Sequence, residues 1–325
     1  MIKRAVKSLI TAAAGTLGWH LVKRGNKKLI ILMYHRIMPE SDPRYQFEEP
    51  GMVVSDKTFC MHMQTLQQEA LPVMTVSEWV ALPESDRPHV AVAITFDDGW
   101  LDNYEYAFPV LKEFGFSSTL YVVTDFLGQP APFWPNKVLR LLLATREDLA
   151  KIEPILTLLG ETPDFPVNRD QAAHYIHQLK SYDDKTIYAA LASIKSESDV
   201  PREMISKGEL LDAINTMGVE AGCHTRRHFR LTTALSSSQL EEEIVESKRI
   251  LAEITGKPST SFCFPNGDYS PEALSLVKQH YKNAVTTLRG HNNSNAVPHK
   301  LVRIGVHNDI SNSPIRFKAR LSGLV

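Results

Sequence analysis

Cysteine is scarce in this 325-residue chain. Cys60, Cys223 and Cys263 are too few for a disulfide framework, and none shares the CxxC spacing of a structural zinc site. They read as three free, buried thiols, which suits a reducing compartment. An excess of one charge is missing as well. With 36 basic against 37 acidic residues, the formal net charge of −1 lacks the basic surplus on which nucleic-acid binding rests. There is no internal repeat, no low-complexity tract and no clean apolar run of the ~20 residues that span a bilayer. What remains is an ordinary globular composition, 43% hydrophobic and 22% charged, at a length that barrel enzymes often reach as one unit.

Acidic residues are also absent from the amino terminus, where Lys3, Arg4, Lys7, Lys23, Arg24, Lys27 and Lys28 precede any Asp or Glu. Between these bases lies Ser8–Val22, a moderately apolar stretch holding Leu9, Ile10, Leu17, Trp19, Leu21 and Val22. It has no clear small-x-small cleavage site followed by a polar start. Basic flanks around an apolar segment that contains tryptophan suit an interfacial helix on an anionic membrane. A signal or short anchor, and a packed or disordered leader, are the alternatives.

Past the leader the pattern turns to strands and helices. Lys28–Tyr34 is a short apolar run ending at His35, as in a buried parallel strand. A helix over Ser55–Ala70, a strand over Val90–Thr95, a helix over Asn103–Phe114 closed by Gly115 and a strand over Ser118–Val123 follow. Strand, helix, strand at these lengths is a βαβ unit with a parallel sheet. Residues 126–207 break the rhythm with helical spacing punctuated by prolines. The alternation resumes with a helix at 208–217 and a strand over Gly218–Cys223. A helix over Ser238–Thr255, a strand over Ser261–Phe264 and a helix over Pro271–His280 come next, then strands over Asn283–Thr287 and Leu301–Val306. About seven such steps favour a barrel over an open sheet.

Three segments lie just past the carboxyl ends of these strands, the rim where functional residues collect in parallel sheets and barrels. In Thr95-Phe96-Asp97-Asp98-Gly99 two adjacent carboxylates repel each other unless a cation or a proton relieves them. One aspartate bound to a metal would leave the other nearby as a base, although a solvated acidic turn reads the same way. In His224-Thr225-Arg226-Arg227-His228 the two histidines are four apart, which on a helical turn puts both on one side, able to share an ion. A carboxylate and two histidines with open positions fit catalytic zinc, though such a set also suits Fe, Co or Mn. The third segment, Phe262-Cys263-Phe264-Pro265-Asn266-Gly267, is by itself an apolar strand with a turn.

Taken in order, these segments resemble the NodB-homology polysaccharide deacetylases of carbohydrate esterase family 4, bacterial surface-glycan type. The resemblance also covers LMYHRI around His35 and the stretch from HFRLT to FCFPNGDYS, over roughly Leu29–Asp125 and Gly208–Val306. It implies an α/β fold, a distorted (β/α)7 barrel. It further implies Asp97 as catalytic base, Asp98, His224 and His228 as ligands of a divalent metal, and a substrate wall built from His35, Phe264, Pro265 and Asn266. The family's Arg-Pro-Pro-Tyr is replaced by Cys263-Phe264-Pro265-Asn266, so its base-orienting arginine is absent there. Arg303, grouped with the substrate-contacting residues, is the candidate to replace it from a neighbouring strand. His307 is the candidate general acid, with His299 the weaker competitor.

The domain reading is a leader at 1–28 and a catalytic domain at 29–325, with 126–207 as a mainly helical insertion. The expected activity is metal-dependent removal of an N-acetyl or similar acyl group from an aminosugar, in a glycan or a lipid-linked saccharide, with zinc expected ahead of Co, Mn or Fe. A non-catalytic glycan-binding module on the same fold is the alternative, as is a small-molecule deacylase. The expected location is cytoplasmic with peripheral contact at the inner membrane, and export is the alternative.

Overall fold

The computed structural model describes residues 9–130, 133–145, 149–194 and 201–325. Ten strands form in chain order: β1 (Lys28–Tyr34), β2 (Arg36–Ile37), β3 (Val53–Val54), β4 (Val90–Phe96), β5 (Ser118–Val122), β6 (Val219–Cys223), β7 (Ser261–Cys263), β8 (Asn283–Arg289), β9 (Asn292–Asn293) and β10 (Leu301–Gly305). Seven of them make a closed parallel ring in the order β1, β4, β5, β6, β7, β8, β10. The ring closes where β10 pairs with β1, Leu32 opposite Ile304. This is the distorted (β/α)7 barrel that the family resemblance implies. The short β9 pairs antiparallel with the start of β1, at Lys28 and Leu29, and β2 with β3 forms a separate two-stranded piece.

Strand alternation divides the apolar residues into two populations. Leu29 and Ile31, Ala91 and Ala93, Tyr121, Cys263, Val285 and Leu301 fill the barrel interior. Ile30, Leu32, Tyr34, Val92, Ile94 and Phe96 point outward, where Phe59, Met63, Phe108 and Leu111 of the surrounding helices cover them. Because both faces are covered, these strands read as continuous apolar runs. Tyr121 fits inside because its neighbour is a glycine: a Cβ on Gly222 would lie 2.3 Å from the tyrosine ring. A capped helix, Val76–Ala81, closes the amino end of the barrel by placing Val76 and Trp79 in the inner cluster.

The helices Trp134–Ala144, Glu153–Leu159, Arg169–Leu179 and Asp184–Ala192 lie between β5 and β6 and pack on an apolar cluster of their own. The two ends of this excursion meet. Glu203 and Met204 N–H groups donate to the Gln129 carbonyl, and Pro130 bridges Arg202.

At the amino terminus, residues 9–24 are helical and lie against the helix Pro314–Leu321. Ala14, Gly15, Gly18 and Trp19 face inward. A Cβ on Gly15 would meet the Ile315 carbonyl at 2.2 Å, so only glycine permits that approach. Trp19 is buried and its indole donates to Glu69 Oε2 at 2.9 Å. The tryptophan that the sequence offers as an interfacial anchor is therefore turned into the protein. Cys223 and Cys263 are buried and Cys60 only partly so.

Candidate functional site

The carboxyl end of the barrel opens into a cavity of about 490 Å³, with His35, Asp97, Asp98, His224 and His228 in its lining. Strand β4 runs into a tight turn at Asp98 and Gly99, with φ of 77° and 90°. The left-handed conformation is costly for an aspartate. It is held by Val123 N–H donating to the Asp98 carbonyl and Ile205 N–H donating to that of Gly99.

The turn separates the two carboxylates. Asp97 is gripped by Arg303 from β10, Nη1 to Oδ1 and Nη2 to Oδ2, both at 2.7 Å. Burial pushes the Asp97 pKa up, and the guanidinium outweighs this and holds it below the usual carboxylate range. Asp98 turns Oδ1 toward the imidazoles, 3.5 Å from His224 Nε2 and 3.4 Å from His228 Nε2. Its Oδ2 accepts the indole N–H of Trp100 at 2.9 Å. Despite burial, the surrounding imidazoles hold Asp98 well below its ordinary value.

His224 and His228 do not sit on a helical turn. They occupy a loop in which Thr225 and His228 are left-handed, with φ of 65° and 63°. The i, i+4 spacing brings the rings together, 4.8 Å between centroids, by a different backbone path from the one the spacing suggests. Buried Glu243 ties the loop down, accepting from the backbone N–H groups of Arg226 and Arg227 and from the Arg227 guanidinium.

The donor set fits a metal ion. His224 Nδ1 donates to the Cys263 carbonyl at 2.8 Å, which leaves the lone pair of Nε2 facing the Asp98 carboxylate. Opposed electron pairs at this distance are stable only around a cation or a proton. Burial lowers the His224 pKa, but Cys263, Asp98 and Asp97 together hold it well above its ordinary value, while burial takes His228 down to about 4. Asp98, His224 and His228 each bring a ligand atom within 4.8 Å of the others, as do Asp97, His224 and Cys263. The second set is the poorer one, because Arg303 Nη2 stands 3.2 Å from Cys263 Sγ and repels a cation.

His35 reaches the same place from the end of β1, its Nε2 3.7 Å from Asp97 Oδ2. Asn266 lines the cavity, with a φ of 54°. Phe264 and Pro265 are buried instead; Phe264 packs on Phe262 and Tyr269, so neither makes the expected substrate wall. Arg303 is also buried and fully engaged beneath the cavity, which corrects its grouping with the substrate contacts. His307 follows β10 but is not among the lining residues; it stands 3.7 Å from Asp309. His299 is turned away, donating to the Tyr281 carbonyl.

Sequence reasoning passed over Trp100 and Arg36. The Arg36 guanidinium lies 4.1 Å over the Trp100 ring and meets Glu48, Asp102 and Glu203, all buried. Asn136 and Arg140 of the inserted helices reach Glu48 and Glu203 in turn. Arg36 lies within the LMYHRI block, but only His35 of that block was singled out, and Trp100 directly follows the Asp-Asp-Gly turn.

A closed (β/α)7 barrel bearing a buried carboxylate–arginine pair beside an aspartate–two-histidine cluster at its carboxyl mouth defines the class of this protein. The polysaccharide deacetylase family model matches residues 84–150 and 164–285, more than half of the chain, and the chain belongs to that family. YxkH of Bacillus subtilis, whose name places it with the polysaccharide deacetylases, is 36% identical over 103 residues, 31% of this chain and 34% of that protein. The poly-beta-1,6-N-acetyl-D-glucosamine N-deacetylase of Staphylococcus epidermidis is 30% identical over 119 residues, 32% of this chain and 41% of that protein. The matches thus span well under half the length of these curated relatives. Among solved structures, the Streptococcus pyogenes deacetylase PplD in complex with acetate superposes with a TM-score of 0.60 at 20% identity. That superposition covers 90% of this chain and 97% of that one, and the likeness is one of fold.

Proposed function

We propose that this protein is a metal-dependent hydrolase that removes an N-acetyl group from an aminosugar of a polysaccharide or a lipid-linked saccharide. One observation carries the reading. Two neighbouring aspartates are given different tasks, Asp97 by the bidentate Arg303 and Asp98 by the facing imidazoles. Asp98, His224 and His228 would hold a divalent ion, zinc first, with Co, Mn or Fe also suited to such a set. When bound, the ion supplies a Lewis acid that polarises an amide carbonyl and makes a water more acidic.

The chain's own residues do the rest. Asp97 is kept ionised by Arg303 and accepts a proton from the attacking water. His35, 3.7 Å from Asp97 and in the cavity wall, is placed to protonate the departing amine, and we prefer it to His307 on that ground. The names of the matched relatives support an acetylated glycan as substrate, most directly the acetylglucosamine polymer in that of the staphylococcal one.

The test is acetate release from acetylated glucosamine polymers and lipid-linked sugars by chelated protein, before and after adding back each metal. Restored release should fall by roughly two to four orders of magnitude in Asp97→Asn, as expected on losing a general base, and be lost in His224→Ala. His35→Asn should lose far more activity than His307→Asn. Metal-independent release, or full activity in Asp97→Asn, would sink the reading.

A further inference from the structure

Of the nine large hydrophobic residues exposed among the described residues, four lie on the leader helix: Leu9, Ile10, Leu17 and Leu21. Leu324 lies against the other side of the helix, since a Cβ on the inward-facing Gly18 would come within 2.6 Å of its Cδ1. The four helix side chains are more than half exposed, from 55% for Ile10 to 70% for Leu9. The opposite face of the helix is already occupied. Ala14, Gly15, Gly18 and Trp19 pack on the protein, so the outward leucines are not a core face left open by accident of register. A helix that is apolar on both sides needs a second apolar phase against its outer side.

The charges around this face say which phase. The chain carries no Asp or Glu before Glu40, so the exposed face of the helix has no carboxylate of its own. Glu69, the acidic residue in contact with the helix, is on the buried side and is neutralised by Lys23 and Lys318. Arg24 stands exposed at the carboxyl end of the helix, and Lys3, Arg4 and Lys7 precede it in the sequence. A soluble protein partner of ordinary composition would not call for this one-signed frame, whereas an acidic lipid surface does. No described helix is long and apolar enough to cross a membrane, so the contact is lateral.

We infer that this protein docks on an anionic lipid bilayer through the outer face of its leader helix, with Leu9, Ile10, Leu17 and Leu21 in the acyl boundary and the flanking bases at the headgroups. The inference stands apart from the hydrolase reading, since it uses no residue of the cavity.

The experiment is co-sedimentation of the full chain with vesicles of equimolar phosphatidylglycerol and phosphatidylcholine, and with phosphatidylcholine alone. The wild type should pellet with the acidic vesicles, and less so as salt rises. The double variant Leu17→Glu/Leu21→Glu should partition roughly a hundredfold less, the loss expected for two leucine side chains. Its circular dichroism should be unchanged, because both side chains are exposed. Tyr182→Glu, in the turn between two of the inserted helices, should bind as the wild type does. Wild type left in the supernatant, or equal binding by the double variant, would overturn the inference. So would concentration-dependent self-association that the double variant lacks, since it would give this face to a second copy.

Discussion

The two oxygens of Asp98 face different partners, and the difference sets how the side chain works. Oδ2 is held by the Trp100 N–H, so Oδ1 alone is presented to the imidazoles. Trp100 is in turn stacked under Arg36 and wholly buried. Trp100→Phe keeps an aromatic ring, though a smaller one, and removes the donor, which frees the carboxylate to rotate. Loss of such an outer hydrogen bond should weaken zinc binding by roughly ten- to a hundredfold, measured by competition with a chromophoric chelator, with little change in fold. Zinc affinity equal to wild type would show that the turn alone orients Asp98. At this level the sequence was legible for charges and spacing but not for backbone direction. The pair of aspartates and the pair of histidines stand out in the text, whereas the left-handed Thr225 and His228 have no signature that distinguishes them from a helical turn. Arg303 was legible only indirectly, as a cation needed because Cys263 stands where an arginine is expected.

Helix Asp56–Gln68 shows how an element outside the barrel is fastened and how it should come loose. Ser55 caps it, and Phe59, Met63 and Leu66 cover the outer side of the strands. His62 joins it to the carboxyl-terminal helix. Its Nε2 donates to the Ser311 carbonyl at 2.8 Å, its Nδ1 accepts from Tyr34 Oη at 3.0 Å, and its ring stacks on Phe317 at 3.9 Å. Burial takes the His62 pKa down to about 4. The unfolded chain therefore binds a proton that the native protein refuses between pH ~6.5 and ~4, so stability falls as pH falls across that window, by on the order of 3 kcal/mol in all. Denaturant titrations should show this slope in the wild type and a flatter one in His62→Gln; an unchanged slope in the variant would mean that other groups carry it. The helix itself was plain from its apolar spacing and cap. The short helix Val76–Ala81 that plugs the barrel was not, because six residues hold too little periodicity to read.

Ring closure belongs to the molecule as a unit. β1 and β10 are far apart in sequence, and their pairing follows from the twist of seven strands rather than from any local pattern, so the text favoured a barrel without closing it. Because the ring is completed by backbone hydrogen bonds, the fold does not wait for a metal. Chelation should leave the far-ultraviolet spectrum intact and lower the melting temperature, by the equivalent of about 2.7 kcal/mol where free zinc had stood a hundredfold above its Kd. Global unfolding on chelation would refute this.

The meeting of Pro130 with Arg202 makes the helices between them a cassette with a fixed socket. When the two ends of an excursion are pinned together by backbone pairing, its length costs the barrel only a slowly growing entropy. One cassette could therefore replace another, longer or shorter, without disturbing Asp97 or Asp98, and the cavity wall that Phe133, Asn136, His177 and Lys180 form would change with it. The trade has one condition. Glu48 and Glu203 are held on one side by Arg36 and on the other by Asn136 and Arg140, so any replacement must bring its own partners for two buried carboxylates. A change of cavity wall is thus constrained less by Asp97 and Asp98 than by two buried acids, Glu48 and Glu203.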